Sequence, residues 1–530
     1  MGGAMVFDLV IENGKVVFGG EKAAENINIG ITGDRITEIS SEKLEGKKVI
    51  DASGKIVSPG FIDPHCHSDL AAFFSEEMTS KILQGVTTEV SGNCGIGISP
   101  AGEEYNNEFK EYVKDHFVLP ENNSELENIK SMKDLKVAIN KKGFITNQAY
   151  LVGTGCIRVD SVGFSTKKLN EDEMKNMLEV LEKELQEGAY GVSFGLVYQP
   201  GNFMDKNEIT EILMITAKHN KIASFHIRNE GENVVESIKE VLECAEKSKC
   251  RVNISHLKIM DRRLWGKSDD ILKLIIEARE KGLDITYDQY PYTATSTTLM
   301  VLIPEKIFDG DVKKFIERIN ILTEDEKKDI MDIVYKRGGI SNILVSNSFL
   351  SENKFSGKTI LEIMEETKME DIETILYLIK ASAGRAKAIY FSIGEEDMYN
   401  FMNTAIGVIG SDGSSVPVEK IQKFGIPHPR NFATFPKFIR INRERKMFSI
   451  EEMVNKITSK TADIFSIKER GRIEKGYFAD ITIFDYEKVE DKAGFENPFI
   501  KSEGIEYVIV NGKIAVNNGI FTGEKAGQCI

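Results

Sequence analysis

Residues 222–257, IASFHIRNEGENVVESIKEVLECAEKSKCRVNISHL, read as one complete strand, helix and strand. IASFHI and RVNISHL are short apolar, β-branched runs, while VVESIKEVLECAEKSK places apolar residues at helical spacing. The unit then repeats, because SDDILKLIIEAREKG (268–282) leads into a further strand, LDITYDQYP (283–291). His226 and His256 are 30 residues apart and His256 and Asp288 are 32, the length of one βα unit with short connections. Upstream the same grammar holds. Asn170 can cap the helix EDEMKNMLEVLEKELQE, Gly188 ends it and YGVSFGL follows as a strand; Asp205 precedes NEITEILMITAKHN.

Working outward gives eight strands: IVSPGFIDPH (56–65), VTTEVSGN (86–93), NQAYLVGTG (147–155), AYGVSFG (189–195), ASFHI (223–227), VNISHL (252–257), DITYDQY (284–290) and TAIGVIGSD (404–412). His65, His67, Cys94, His226, His256 and Asp412 all fall at the carboxyl end of an apolar run. In an α/β (β/α)8 TIM-like barrel those ends meet on one face, where the active site lies, so the barrel is the expected fold, over 64–465. Residues 304–395 are too long and polar for one crossover. Their runs VKKFIERINIL, DEKKDIMDIVYKR, TILEIMEET and IETILYLIKASAG predict a helical insertion before the last strand, near the active-site face.

Both ends of the chain have a different texture. DLVIENGKVVF (8–18), ENINIGITGDRITEIS (25–40) and KVIDASGKIVSPG (48–60) alternate β-rich runs with turn dipeptides, and the pattern returns in GRIEKGYFADITIFD (471–485) and IEYVIVNGKIAVNNG (505–519). VNGKIAV echoes ENGKVVF. One small β-sandwich domain built from 1–63 and 466–530 is expected, with the two echoes in one sheet.

Composition narrows the function. The 530 residues are 41% hydrophobic and 28% charged, with no run near the roughly 20 apolar residues that cross a bilayer. The net charge of −15 disfavours nucleic acid, so a small-molecule substrate is expected, with no nucleic-acid or membrane partner. Six cysteines without a C-x-x-C pair read as a reduced set, and the N-terminal stretch lacks a basic start followed by an apolar run; a cytoplasmic location is expected. The composition leaves oligomeric state open.

His65 and His67, two apart on a strand, project to one side and suit a divalent metal. His226 and His256 supply nitrogen ligands from adjacent strands. Cys94, between Gly92 and Gly95, reads either as a small buried turn residue or as a thiolate completing a Cys, His, His set with one position open for water. Asp412 reads either as an Asx-turn cap or as a carboxylate that takes a proton from metal-activated water. His116 and His219 lie in charged helical stretches and read as solvated; His428 reads as shaping a loop, and Cys66, Cys156, Cys244 and Cys250 as core.

The motifs GFIDPHCHSD (60–69), SGNCG (91–95), SFGLVYQPG (193–201), FHIRNEG (225–231), ISHLKI (254–259), DQYPYTATST (288–297), IGSDG (409–413) and HPRNFATFPK (428–437) together resemble the amidohydrolase superfamily. Within it the chain is most similar to the N-acyl-D-amino-acid deacylases, or D-aminoacylases, over nearly its whole length. The resemblance implies zinc-dependent hydrolysis of the linear amide of an N-acyl-D-amino acid. It implies that Cys94, His226 and His256 hold a tight zinc, that His65 and His67 form a second, weaker or vacant site, and that Asp412 is the general acid/base. Recognition of the substrate carboxylate would fall to Lys258, Tyr292, Ser296 and Arg430. Many superfamily members bridge two metals with a carboxylated lysine on the fourth strand; AYGVSFG has none, and in the deacylase branch a cysteine matching Cys94 serves instead. The alternatives are a dipeptidase acting on L-aminoacyl-D-amino acids, a cyclic amidase of the dihydroorotase or hydantoinase type, and a barrel scaffold without catalysis.

Overall fold

A computed structural model describes residues 6–304, 306–308 and 312–530. Its centre is a parallel barrel of eight strands, each contributed by one of the eight segments above: β1 (Phe61–Asp63), β2 (Val86–Ser91), β3 (Asn147–Gly153), β4 (Gly191–Gly195), β5 (Ile222–His226), β6 (Arg251–Ile254), β7 (Ile285–Gln289) and β8 (Val408–Ile409). They pair in sequence order from β1 to β8. The last gap closes through Asp412 N–H to His65 O at 2.8 Å and His67 N–H to Gly413 O at 2.9 Å, with Cys66 bridging Gly413 in parallel register. Strands β2 to β5 and β7 are buried at every position, as parallel strands covered by helices must be. That burial explains the apolar residues in most of these segments; where polar residues lie inside a strand, as Thr87, Thr88 and Glu89 do in β2, they are buried as well.

One buried ion pair ties the closing strands together. Lys81 and Asp63, both fully buried, meet at 2.7 Å; Lys81 also donates to Ser411 Oγ, and Asp63 Oδ1 accepts the Ser411 N–H at 2.9 Å. Breaking a buried pair on one side strands the other charge in the interior, at a cost of about 3–5 kcal/mol. Lys81→Met is therefore expected to lower the unfolding free energy measured by urea titration by that amount, and an unchanged midpoint would show that the pair does not hold the closure.

Both chain ends build the β region. A four-stranded sheet (Arg35–Ser40, Asn28–Thr32, Val6–Glu12, Glu45–Asp51, in that order) faces a seven-stranded one across a core that includes Leu9, Ile31, Ile36, Val57, Ile481 and Ile509. The second sheet runs Ile520–Phe521, Lys513–Asn517, Ile505–Val510, Ile481–Phe484, Ile56–Pro59, Lys15–Val16 and Glu25–Asn26, so the two echoing segments share it.

Three details depart from the sequence reading. The run 56–65, read as one barrel strand, is two: Ile56–Pro59 pairs with Ile481–Phe484, and only Phe61–Asp63 enters the barrel. Gly60 permits the switch, since a Cβ there would come within 2.1 Å of Thr87 Oγ1. The last residues leave the β sheets and lie against the barrel, where Gln148 N–H donates to Gln528 O at 2.8 Å and Ile530 N–H to Gln148 O at 2.9 Å.

The insertion is not purely helical. It includes a three-stranded antiparallel sheet, Thr295–Thr298, Lys387–Tyr390 and Ile343–Asn347, so it opens at about residue 295 and not at 304. Helices Glu324–Lys336, Ile360–Thr367 and Asp371–Ala381 cover that sheet over its own core of Leu299, Phe315, Ile330, Val345, Ile375 and Tyr390. Ile343–Asn347 and Lys387–Tyr390 are short and lie between helical runs, so only their pairing with each other marks them as strands. Among the described residues no helix is long and apolar enough to cross a membrane.

Candidate active site and metal centre

The carboxyl ends of β1, β2, β5, β6 and β8 bring the six strand-end residues together. Potential ligand atoms of Cys94, His226 and His256 lie within 4.8 Å of one another, and so do those of His65, His67, Cys94 and Asp412; Cys94 belongs to both groups. Its Sγ stands 3.3 Å from both His65 Nε2 and His256 Nε2.

Backbone geometry aims these groups inward. Cys94 (φ 57°), His256 (φ 36°) and Asp412 (φ 50°) all occupy the left-handed region, which costs a non-glycine residue about 1–3 kcal/mol and persists where surrounding structure enforces it. Asp288 Oδ1 accepts the His256 N–H at 2.9 Å, and His65 O accepts that of Asp412. Gly195 makes room for the Cys94 turn, because a Cβ there would sit 1.9 Å from Cys94 O.

Two carboxylates that the sequence reading did not assign to the site, Asp288 fully buried and Glu230 in the cavity wall, hold the imidazoles. Asp288, at the end of β7, places Oδ1 3.0 Å from His65 Nδ1 and takes Asn253 Nδ2 on Oδ2 at 2.6 Å. Glu230 reaches His256 Nδ1 at 3.0 Å, His226 Nε2 at 3.5 Å and Lys258 Nζ at 2.5 Å. A carboxylate on the far nitrogen fixes the tautomer and turns the near one toward the centre. Asp288 carries the same strand-end signature that singled out the histidines, whereas Glu230, in the loop after β5, has no such mark.

Charge at the centre is arranged for anions. Burial would push the Cys94 thiol up, but His65 and His256 outweigh it and hold it well below the usual thiol range. Burial also opposes ionisation of Asp412; Arg430, His256, His67 and His65 together keep its carboxyl well below the usual carboxylate range. His67 Nε2 is 3.1 Å from Asp412 Oδ1, and Arg430 Nη1 is 2.8 Å from Oδ2. His226 Nδ1 is buried without a hydrogen-bond partner, an orphaned ligand atom beside a thiolate and a second imidazole. That donor set fits a divalent cation of the zinc type.

The centre lies on the floor of a cavity of about 980 Å³. Lys258, Ser296 and Arg430 line it, as the sequence reading requires. Lys258 is bound to Glu230 and His256, so it braces the centre more than it reaches into the cavity. Tyr292 does not line it: its ring packs behind the wall, 5.1 Å from His428 and 6.3 Å from Phe495. Tyr290, two residues earlier, takes the lining position, with Arg430 4.9 Å from its ring. His428 shapes the loop by accepting the Arg430 N–H on Nδ1 and facing Ala294 O with Nε2, each at 3.0 Å. His116, read as solvated, instead forms part of the cavity wall, 4.5 Å from the Tyr112 ring and 6.1 Å from that of Tyr198. His219 pairs with Glu182 away from the cavity.

The chain has counterparts among known proteins. A family model described as Amidohydrolase family matches residues 48–117 and 408–516. The chain is 30% identical to the D-aminoacylase of Alcaligenes xylosoxydans xylosoxydans, over 99% of this chain and 97% of that protein. It is also 30% identical to the N-acyl-D-glutamate deacylase of the same organism, over 95% and 93%. The crystal structure of N-acyl-D-glutamate deacylase from Bordetella bronchiseptica, complexed with zinc and a phosphonate mimic of the tetrahedral intermediate, superposes with a TM-score of 0.81 at 27% identity, covering 99% of both chains.

Proposed function

The chain belongs to the D-aminoacylase family of amidohydrolases, and from that premise we propose how its own residues divide the work. The enzyme hydrolyses the amide bond of N-acyl-D-amino acids, releasing a carboxylate and a free D-amino acid. The observation that carries the assignment is the convergence of Cys94, His226 and His256 with His67 and Asp412 on the floor of one cavity, with His65 buried directly behind Cys94.

Cys94, His226 and His256 would hold one zinc tightly, and His65 and His67, sharing Cys94 and Asp412, would offer a second and weaker position. When bound, zinc polarises the amide carbonyl and acidifies water. Asp412 accepts the proton of the attacking water on its carboxylate and returns it to the leaving amine nitrogen, which a carboxyl held ionised at rest is suited to do. Asp288 and Glu230 keep the imidazoles of His65 and His256 turned toward the centre.

Arg430 is the candidate for the substrate α-carboxylate. Nη1 is close to Asp412 but lacks hydrogen-bond geometry to it and is buried without a partner, and Nη2 has only a 3.5 Å approach to Ser296 O. A planar guanidinium with unspent donors matches a carboxylate bidentately. Ser296 stands beside it in the wall. In a protein of net charge −15, an anionic substrate needs such a local cation.

The zinc-loaded enzyme is therefore expected to cleave N-acetyl-D-amino acids and to prefer them to their L-enantiomers. Replacing the acid by a carboxamide should lower kcat/KM by about 10- to 100-fold, the worth of a charged hydrogen-bonded pair. Arg430→Ala should respond much less to that change. Equal rates for acid and carboxamide in the wild type, or a preference for L-substrates, would show that the pocket reads another feature.

A further inference from the structure

Glu89 lies inside the barrel on β2, fully buried, and it neither belongs to the clusters of potential ligands nor lines the cavity. It stands in register with Asp63 on β1 and Gln148 on β3. One level of the interior thus carries two carboxylates and an amide, where such barrels usually pack branched apolar side chains. Asp63 has Lys81 as its counter-ion, whereas Glu89 pairs with no cation among the described residues. Neutral donors satisfy it instead. Oε1 accepts the hydroxyls of Thr146 at 2.6 Å and Ser415 at 2.9 Å and the Gln148 amide at 3.2 Å, and Oε2 accepts the Ser68 hydroxyl at 2.5 Å. A carboxylate taken out of water without a counter-ion is costly, so the fold bears a charge here that an apolar residue of similar volume would spare it.

The groups that Glu89 joins indicate its use. Ser68 follows His67, and Ser415 lies three residues after Asp412; both line the cavity. The Ser68 hydroxyl donates to Glu89 Oε2 and accepts the Ser415 N–H at 2.7 Å, while the Ser415 hydroxyl donates to Oε1, which closes a ring of hydrogen bonds. That ring spans the same two chain segments as the contact between His67 Nε2 and Asp412 Oδ1 at 3.1 Å. On its other side the Asp412 segment is tied to β1 through Ser411, whose N–H donates to Asp63 Oδ1 at 2.9 Å. Asp412 therefore sits between two anchors, one built on Asp63 and Lys81 and the other on Glu89. Such support on both sides keeps a non-glycine residue in the left-handed region.

We propose that Glu89 is a positioning residue for proton transfer: by clamping Ser68 to Ser415 from beneath the cavity floor, it fixes where the Asp412 carboxylate stands relative to His67 and the metal centre. The proposal rests on the reading of Asp412 as the general acid/base. A carboxylate suits the clamp because four donors converge on its two oxygens, and a glutamine would turn an amide N–H toward one of them. Glu89→Gln therefore keeps the volume and disrupts the ring.

The test uses the zinc-loaded enzyme and an N-acetyl-D-amino acid. Glu89→Gln should lower kcat by about 10- to 100-fold, the scale on which a small misplacement of a catalytic group acts, with KM within about threefold of the wild type. Its zinc content should be unchanged. Ser68→Ala removes the middle hydroxyl of the ring without altering charge; it should fall in the same range, and it decides the matter should Glu89→Gln fail to fold. A second background separates positioning from general support of the barrel. Adding Glu89→Gln to Asp412→Asn should reduce turnover by less than about twofold more, because the group being positioned is already gone. A crystal structure of Glu89→Gln should show the contact between His67 and Asp412 lengthened, and an unmoved contact would overturn the clamp. Wild-type turnover in both single variants would also overturn it. So would a full additional loss in the Asp412→Asn background, or loss of zinc from Glu89→Gln, since either marks an effect that does not pass through Asp412. Wild-type turnover in Asp412→Asn itself would remove the general base and the clamp together. Its loss beside an unaffected Glu89→Gln would leave the base in place and overturn the clamp alone.

Discussion

Asp412→Asn is expected to retain its zinc and lose at least ~10²-fold in turnover, the usual scale for a positioned acid/base. Asparagine keeps the shape and the donor from His67 but cannot accept a proton, so the substitution separates proton transfer from metal binding. It also removes the anion facing Arg430 at 2.8 Å, and that charge is buried. A thermal midpoint is therefore needed beside the rate, to distinguish lost chemistry from a destabilised barrel. The positive φ at Asp412 makes asparagine the right probe, because Asn tolerates the left-handed region better than most residues, and alanine would add backbone strain to the chemical loss. Wild-type turnover in Asp412→Asn with normal zinc content would remove Asp412 from the mechanism.

Cys94→Ala is expected to lose the tight zinc, and with it essentially all activity. Cys94 is the one residue common to both clusters of potential ligands, so its removal leaves two imidazoles at one site and no thiolate at either. The consequence extends to stability. A zinc shared by Cys94 after β2, His226 on β5 and His256 after β6 would cross-link three strands, and binding to the folded chain alone stabilises it by mass action. The melting temperature of the wild type should therefore rise on zinc addition, and that of Cys94→Ala should respond little. Elemental analysis showing about one zinc per chain in the wild type and the same amount in Cys94→Ala would make Cys94 a packing residue.

Each strand that the sequence marked is found in the barrel, because a parallel strand buried on both faces needs a continuous apolar run and carries its polar residues where it leaves the sheet. The same local rule located His65, His67, Cys94, His226, His256 and Asp412, and it would have located Asp288 had it been applied to DITYDQY. It had no purchase on Glu230, whose loop carries no periodicity and whose role exists only because His226, His256 and Lys258 arrive beside it from two strands.

Tertiary structure also decided between neighbours. Tyr290 and Tyr292 occupy one irregular turn, and nothing in DQYPYTATST says which ring faces the cavity; the packing of His428 and Phe495, distant in sequence, draws Tyr292 behind the wall. Pairing partners likewise divided 56–65 between two sheets and revealed strands in the insertion. A charged residue read along the chain looks solvated until the fold shows which carboxylates came to meet it, as Glu230 meets Lys258 and Asp63 meets Lys81. The sequence alone determined the barrel, the order of its strands and the residue types at the strand ends, since burial and periodicity are properties of short segments. Which nitrogen faces inward, which carboxylate meets which cation and which side of a turn meets the substrate were decided by the tertiary structure, because each depends on groups brought together from far apart in the chain.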